Sequence, residues 1–195
     1  EAALPDAHLR ETRHSTQELF KGKFLHAFRD QVVLPDGQMA SREYVVHPGA
    51  VMVIPMDTDA DGQVRLVLER QFRYPLNRVM TEFPAGKFDA GEAAMWCAVR
   101  ELREETGYAG TSARLLASVH PNPAIQNNRC HLVLVDNATL SGASEWDHDE
   151  EIEVVTAPVD EVLGWARAGK ITHSLVVCGL MHFEPIWRER TGRGV

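Results

Sequence analysis

Three glutamates, Glu101, Glu104 and Glu105, lie within five residues of one another, shortly after a stretch interrupted by glycines. Successive residues of an α-helix are offset by about 100°, so these side chains would share one stripe of a helix. Like charges one turn apart destabilise a helix by about 0.2–0.5 kcal/mol. The stripe therefore needs a compensating partner, and the identity of that partner indicates the chemistry.

Two interpretations of this acid stripe are open. A solvated charged face would have Arg100 and Arg103 as its partners. Alternatively, the carboxylates would bind a divalent cation, since Mg²⁺ takes an octahedron of oxygen ligands and keeps waters and substrate phosphates among them. Gly86 and Gly91 favour the second interpretation, because they frame a loop that can bring a backbone carbonyl close to the same ion. We therefore predict a magnesium site on this helix.

Periodicity predicts the elements that would position this site. A helix over 92–106 would pack on a core through an apolar stripe formed by Met95, Ala98, Val99 and Leu102. Turn signals predict a hairpin about Pro35–Gly37, whereas residues 1–18 are expected to lack regular structure. Further strands are expected at 49–56, 63–70, 79–83, 113–120, 130–135 and 152–157, and further helices at 158–168 and 173–189.

Composition is typical of a soluble globular protein. Of the 195 residues, 44% are hydrophobic and 25% charged, and a formal net charge of −8 argues against a nucleic-acid partner. No apolar run approaches a membrane span, and the first eighteen residues hold no apolar segment of a secretory signal. Three cysteines without a CxxC pair favour a reducing compartment over a disulfide framework, so we expect a cytoplasmic protein without a membrane partner.

The residues around the acid stripe resemble the signature of the Nudix hydrolases. That signature is a glycine, five residues, a glutamate, seven residues, and then Arg-Glu-U-x-Glu-Glu-x-Gly-U, in which U is bulky and apolar. Every fixed position is filled here, with tyrosine as the last bulky residue, at Gly86, Glu92, Arg100, Glu101, Leu102, Glu104, Glu105, Gly107 and Tyr108. So many residue types at fixed spacing are not expected by chance.

The resemblance implies an α/β/α sandwich with a mixed sheet and metal-dependent hydrolysis of a nucleoside diphosphate linked to another group. The metal would be Mg²⁺ or, in its place, Mn²⁺. Its ligands would be the carbonyl of Ala85 and the carboxylates of Glu101, Glu104 and Glu105. Glu104 and Glu105 would act in catalysis, and Arg100 would hold a glutamate in place rather than contact substrate.

The flanks resemble the branch of ADP-ribose pyrophosphatases and nucleoside diphosphate sugar hydrolases. They share Glu-x-Pro-Ala-Gly at 82–86, the stretch 69–74, and Pro123 sixteen residues after Gly107. That branch has an N-terminal β segment before the catalytic core, so domains are expected at 1–48 and 49–195. Relatives form dimers in which this segment completes the partner's site, and we expect a homodimer here.

The resemblance also suggests contacts with the substrate. Arg73, with Arg70 on the same strand, would bind phosphate through its forked guanidinium. A surface ion pair of Arg73 with Glu69 or Glu82 is the alternative. Glu82 would bind ribose hydroxyls or join the metal shell through water.

The loop after Pro123 departs from the usual pattern of that branch, which is glycine and then Ser-Asp/Asn-Glu. Here Asn127, Asn128 and Arg129 follow, and they would either contact phosphate or sugar or only shape a turn. The general base in this branch is usually a glutamate on a later loop. Aligning the strand at 152–157 puts Glu150 there, with Asp149 and Glu151 as rivals, or the loop is merely acidic.

We therefore expect hydrolysis of the pyrophosphate bond of ADP-ribose or a related nucleoside diphosphate sugar, which gives a nucleoside monophosphate and a sugar phosphate. The enzyme alternatives are a GDP-mannose-type or broad-specificity hydrolase, and a coenzyme A or dinucleoside polyphosphate hydrolase. The non-enzyme alternative is a silent Nudix module that senses a nucleotide. The intact set of signature acids argues against that module.

Overall fold

The computed structural model describes residues 6–146 and 151–193. Backbone contacts divide the chain into two compact units. The first comprises the N-terminal residues up to Pro48 together with His120–Asn128. The second comprises Gly49–Val119 and the residues from Arg129 onward, and it contains the whole of the predicted acid stripe.

The described part of the first unit contains an antiparallel sheet of Thr12–Lys21 (β1), His26–Val33 (β2) and Met39–Val45 (β3), in that order. The predicted hairpin is confirmed, and its turn contains Gly37 with a φ of 85°, which glycine adopts without strain. The expectation that residues 1–18 lack regular structure is wrong from Thr12 onward. β1 pairs with β2 through its backbone although every β1 residue is exposed.

The second unit contains one mixed sheet. Its strands are Ala50–Thr58 (β4), Val64–Arg73 (β5), Arg78–Glu82 (β6), Ala85–Lys87 (β7), Ser112–Val119 (β9), Cys130–Asp136 (β10) and Ile152–Pro158 (β12), while Tyr108–Ala109 (β8) and Thr139–Leu140 (β11) pair separately. The order is β12–β5–β4–β10–β9, with β6 beside β5 and β7 beside β4. β10 and β4 are parallel, and the other pairings described are antiparallel.

Helices cover both faces of this sheet: Ala94–Thr106 (α1), Val159–Arg167 (α2) and Ser174–Arg190 (α3). Alternate residues of a strand point to opposite faces. β4 therefore contributes Val51 and Val53 to the core under α1, and Met52 and Ile54 to the core under α2 and α3. The predicted α/β/α sandwich with a mixed sheet is confirmed. Within the described residues, no helix has both the length and the apolar character needed to cross a bilayer.

α1 is the helix that carries the acid stripe. Its buried Ala98 and Leu102 belong to the predicted apolar stripe and pack on β4 and β10. The helix begins at Ala94, two residues later than predicted, and ends at Gly107, whose φ is 74° and whose N–H donates to the carbonyl of Arg103 at 2.8 Å. A glycine that ends a helix in this left-handed turn satisfies the last free carbonyl groups.

Candidate functional site

Arg100 is the partner that compensates the acid stripe of α1. One terminal nitrogen of its guanidinium donates to Glu101 Oε1 and Glu104 Oε2, both at 2.9 Å. The other two nitrogens donate to the carboxylate of Glu92 at 2.9 and 2.8 Å. These hydrogen bonds from Arg100 lower the pKa of Glu92 to about 2. Arg103, the second expected partner, pairs instead with Glu145 at 3.0 Å.

Glu105 is the buried member of the stripe. Only 7% of the residue is exposed, and its Oε2 accepts the N–H of Ala85 at 2.8 Å. The end of α1 is fixed from outside as well, because the indole of Trp146 donates to the Glu105 carbonyl at 2.7 Å and the Glu145 N–H donates to the Glu104 carbonyl at 2.7 Å. The Glu105 carboxylate is thus held against the peptide group between Pro84 and Ala85.

Gly86 makes room for Glu101. A methyl group on the α-carbon of Gly86 would overlap the Glu101 carboxylate. The first glycine of the signature is therefore required by a close approach between β7 and α1, not by an unusual backbone angle. The approach brings the Glu101 carboxylate to the same short strand that carries Ala85.

A second acidic group lies on β5 and β6. Glu69 and Glu82 are direct neighbours across these strands, and each is only 3% exposed. Arg73 donates to both oxygens of Glu82, at 2.9 and 2.6 Å. The hydrogen bonds with Glu82 raise the pKa of Arg73 despite partial burial, and the charges of Glu105 and Glu69 add to that rise. Three residues after Glu82, the N–H of Ala85 donates to Glu105, so the short segment 82–85 connects the two acidic groups.

His173 joins this cluster without any sequence signal. It precedes α3, and its Nε2 lies 3.9 Å from Glu82 Oε2. Its Nδ1 is buried and has no hydrogen-bond partner among the described residues. Next to it, Thr172 accepts a hydrogen bond from Arg78 of β6 at 2.5 Å. Only the packing of α3 on the sheet brings His173 to Glu82, so no motif or periodicity could have predicted it.

The donor set suits a hard divalent cation. Six carboxylates, called the acidic cluster below, are balanced by the two guanidinium groups of Arg73 and Arg100, which leaves an excess of negative charge. The cluster consists of Glu69, Glu82, Glu92, Glu101, Glu104 and Glu105. Among the described residues, no three acidic, His or Cys side chains already converge on one point as metal ligands. Carboxylate and carbonyl oxygens are nonetheless the ligands that Mg²⁺ and Mn²⁺ prefer, so the residues fit such an ion.

The other predicted site residues have different contacts or are not described. Arg70 pairs with Glu153 of β12 at 2.6 Å and does not join Arg73. Asn127 belongs to the first unit, where its side-chain oxygen accepts the His47 N–H at 3.3 Å. Arg129 has an exposed side chain, and its carbonyl accepts the Ala50 N–H at 3.1 Å. Glu150 and its rival Asp149 lie outside the described residues, whereas Glu151 is described and exposed.

Burial also makes the cysteine beside this site inert. Cys97, on α1, is fully buried and burial raises the pKa of its thiol to about 12. A thiol with that pKa carries almost no thiolate at neutral pH and is a poor nucleophile. The chemistry of the site therefore rests on carboxylates and guanidinium groups.

Comparison with known families matches two models to the chain. The model described as the NUDIX domain covers residues 46–175. The model described as the nucleoside diphosphate sugar hydrolase N-terminal domain covers residues 11–45. Together the two matches include all the strands of the first unit and every carboxylate of the acidic cluster.

Sequence similarity to individual relatives extends over nearly the whole chain. An ADP-ribose pyrophosphatase of Bacillus subtilis (strain 168) is 33% identical over 177 residues, which are 90% of this chain and 94% of the relative. A methanol dehydrogenase activator of Bacillus methanolicus is 32% identical over 170 residues, 87% of this chain and 90% of the relative. A crystal structure of an ADP compounds hydrolase has the same fold, with a TM-score of 0.80, 20% identity and coverage of 95% of this chain and 98% of its own.

Proposed function

This chain belongs to the Nudix family and is a Nudix pyrophosphohydrolase, and from that premise we propose that it hydrolyses the pyrophosphate bond of ADP-ribose or a related nucleoside diphosphate sugar. The products would be a nucleoside monophosphate and a sugar phosphate. The name of the Bacillus subtilis relative supports ADP-ribose as the first substrate to test. The match of residues 11–45 supports the wider class of nucleoside diphosphate sugars.

One observation carries this proposal: the buried carboxylate of Glu105 is held beside Ala85, and Glu101 is packed against Gly86. In the proposed site Glu101, Glu105 and the Ala85 carbonyl hold Mg²⁺, or Mn²⁺ in its place, with Glu104 at the rim. The ion, when bound, lowers the pKa of a water and neutralises charge on the diphosphate oxygens. The excess of negative charge in the cluster would otherwise repel the anionic substrate.

The protein's own residues would orient the reactants. The oxygen of a water forms a bond to one phosphorus, the bond from that phosphorus to the bridging oxygen breaks, and the bridging oxygen leaves with the other phosphate. A base must take the proton of the attacking water, and we assign this role to Glu150, with Asp149 and Glu151 as alternatives. Arg100 holds Glu101 and Glu104 in place at 2.9 Å.

Arg73 is proposed as the phosphate contact. Its side chain is 43% exposed while its partner Glu82 is 4% exposed, so the guanidinium has a face open to solvent. Arginine is also suited to paired oxygens of phosphate. Glu82 would then have two tasks, since it fixes Arg73 and lies where ribose hydroxyls or a metal-bound water would be.

Broader specificity is the second candidate within the family. It is favoured by the loop after Pro123, where Asn127, Asn128 and Arg129 replace the pattern usual in ADP-ribose pyrophosphatases. A substrate panel separates the candidates: ADP-ribose, GDP-mannose, UDP-glucose and a dinucleotide are each incubated with Mg²⁺, and the released nucleoside monophosphate is quantified. The proposal predicts the highest kcat/KM for ADP-ribose or another nucleoside diphosphate sugar. Absence of release from all four would favour a nucleotide-sensing module instead.

We also propose a homodimer formed through the N-terminal β segment. β1 is an edge strand whose ten residues are all exposed, including the apolar Leu19 and Phe20. Long exposed edges are unusual in single chains, because their free N–H and C=O groups invite pairing with another strand. A second copy would cover this surface.

A further inference from the structure

A cavity of about 430 Å³ in the second unit is not part of the acidic cluster. It lies between the strands β5, β6 and β12, the helix α2 and the segment that follows α2. Its wall includes Arg70, Thr81, Thr156, Trp165, Lys170 and Ile171. This volume falls within the range of about 300–1,000 Å³ that encloses small ligands in proteins.

The cavity opens on the face of the β5–β6 pair opposite to the carboxylates. Glu69 and Glu82 are direct neighbours across the two strands, and Arg70 and Thr81 are the next pair. Consecutive residues of a strand point to opposite faces. A molecule that contacts Arg70 and Thr81 is therefore separated from Glu69 and Glu82 by the sheet itself, and cannot be the substrate in reaction.

The chemistry of the wall differs from that of the rest of the chain. Arg70 and Lys170 are cationic, Trp165 is aromatic, and Thr81 carries a hydroxyl. Among the described residues that line the cavity, none is acidic, although the chain carries a net charge of −8. Glu153 pairs with Arg70 at 2.6 Å, but both side chains are about half exposed or more, so this ion pair is easily exchanged for a ligand anion.

We propose that this cavity binds a small anion that carries an aromatic ring, the chemical class of a nucleoside monophosphate. The phosphate contacts Arg70 and Lys170, and the ring lies on the indole of Trp165. Stacking of a base on an aromatic side chain and charge-assisted hydrogen bonds to phosphate are each strong enough to give measurable affinity.

The cavity also adjoins the active site through the backbone. Lys170 and Ile171 line the cavity, and the next two residues, Thr172 and His173, contact Arg78 and Glu82. A ligand held by Lys170 would thus lie three residues along the chain from His173. The nucleoside monophosphate class rests on the proposed function, which releases such a product, but its binding here requires no turnover.

The test is calorimetric titration of AMP into the full chain in EDTA, which removes divalent metal and suppresses hydrolysis. Lys170→Glu should weaken AMP binding about tenfold or more, because it removes a charge-assisted hydrogen bond and adds repulsion. Arg114→Glu, the same reversal of charge at an exposed position of strand β9, should leave the affinity unchanged. Melting curves establish that all variants are folded.

Two ligand controls complete the experiment. Inorganic phosphate and adenosine should each bind at least about tenfold more weakly than AMP, because each lacks one of the two contacts. The proposal is overturned if AMP produces no heat at millimolar concentration, or if Lys170→Glu binds AMP as the parent does. It is equally overturned if phosphate alone binds as tightly as AMP. None of these results bears on hydrolysis, which the substrate panel measures separately.

Discussion

Arg100 is the residue on which the charge balance of α1 depends. It is bound by Glu92, Glu101 and Glu104 at once, and these three carboxylates raise its pKa well above the ordinary value. A guanidinium held in this way stays charged at every accessible pH. The acidic stripe is thus kept in place by Arg100, and in the proposed site Glu101, Glu104 and Glu105 would hold the ion.

Glu92 should make stability depend on pH in a defined direction. Arg100 lowers the pKa of Glu92 from its ordinary 4.5 to about 2 in the folded chain. A carboxylate with a depressed folded pKa stabilises the fold fully above pH 4.5, and this contribution is lost as the pH falls to about 2. Glu92→Gln should therefore unfold at lower urea concentration than the parent at pH 7, and the difference should shrink below pH 4.5. A difference that stays constant down to pH 3 would contradict this role.

Gly86→Ala should damage the site more than the fold. The added methyl group would overlap the Glu101 carboxylate, and that flexible side chain can move away at little cost in unfolding free energy. Displacing a metal-binding carboxylate should lower metal affinity and turnover by about 10–100-fold. Gly164→Ala is the matched control, because nothing lies within 4 Å of its added methyl group. Unchanged metal affinity in Gly86→Ala would contradict the assignment of Glu101.

Residues of the site differ in how far the sequence predicts them. Gly86, Glu101 and Glu105 are fixed by spacing along one helix and one loop, so a signature is enough to find them. Glu69 and His173 reach the cluster through strand pairing and through the packing of α3. Both placements depend on contacts distant in sequence. Glu69 lies in the stretch 69–74 that resembles the branch, whereas His173 leaves no local pattern. The exact partner of Arg73 was open for the same reason, and the structure gives Glu82.

At the scale of elements, the end of α1 is the most constrained point of the site. Gly107 has a φ of 74°, and an added methyl group there would overlap the carbonyl of Gly142. Trp146 and Glu145 attach to the same turn through the carbonyls of Glu105 and Glu104. These contacts fix the conformation of the turn and therefore the positions of Glu104 and Glu105.

Two glycine substitutions separate backbone conformation from close contact. Gly169, after α2, has a φ of 70°, and nothing lies within 4 Å of a methyl group added there. Gly169→Ala should therefore lower the free energy of unfolding by about 1–2 kcal/mol through the left-handed backbone alone. Gly107→Ala should lower the free energy of unfolding by more, because overlap with the Gly142 carbonyl adds to the strain of the left-handed backbone. Urea unfolding measures both. Equal losses for the two variants would mean that the Gly142 carbonyl moves aside freely.

The elements that the sequence predicted best are the buried ones. α1 shows clear periodicity because one of its faces packs on a core, and β4 shows a continuous apolar run because both of its faces are buried. β1 was missed because all ten of its residues are exposed, so burial imposes no alternation on its sequence. β7 was missed because three residues are too few to show a period. In both cases, pairing with a neighbouring strand, rather than local preference, determines the structure.

At the scale of the whole molecule, the proposed dimer has a direct test. Light scattering should give twice the chain mass of 21.8 kDa. Phe20→Asp should shift the equilibrium toward the single chain, because it places a charge on the exposed apolar surface of β1. Met181→Asp, an equally exposed change on α3, should leave the mass unchanged. A parent protein that scatters as a single chain would refute the dimer.

The central claim is that the carboxylates of α1 bind a divalent cation at which a diphosphate is hydrolysed. Titration calorimetry with Mg²⁺ in the presence of a nonhydrolysable nucleoside diphosphate sugar tests it most directly. We predict uptake of Mg²⁺ by the parent chain and loss of that uptake in Glu105→Gln, together with a fall in turnover of several orders of magnitude. Glu150→Gln should keep the uptake and lose the turnover. Equal Mg²⁺ uptake and equal turnover in the parent and Glu105→Gln would contradict the claim.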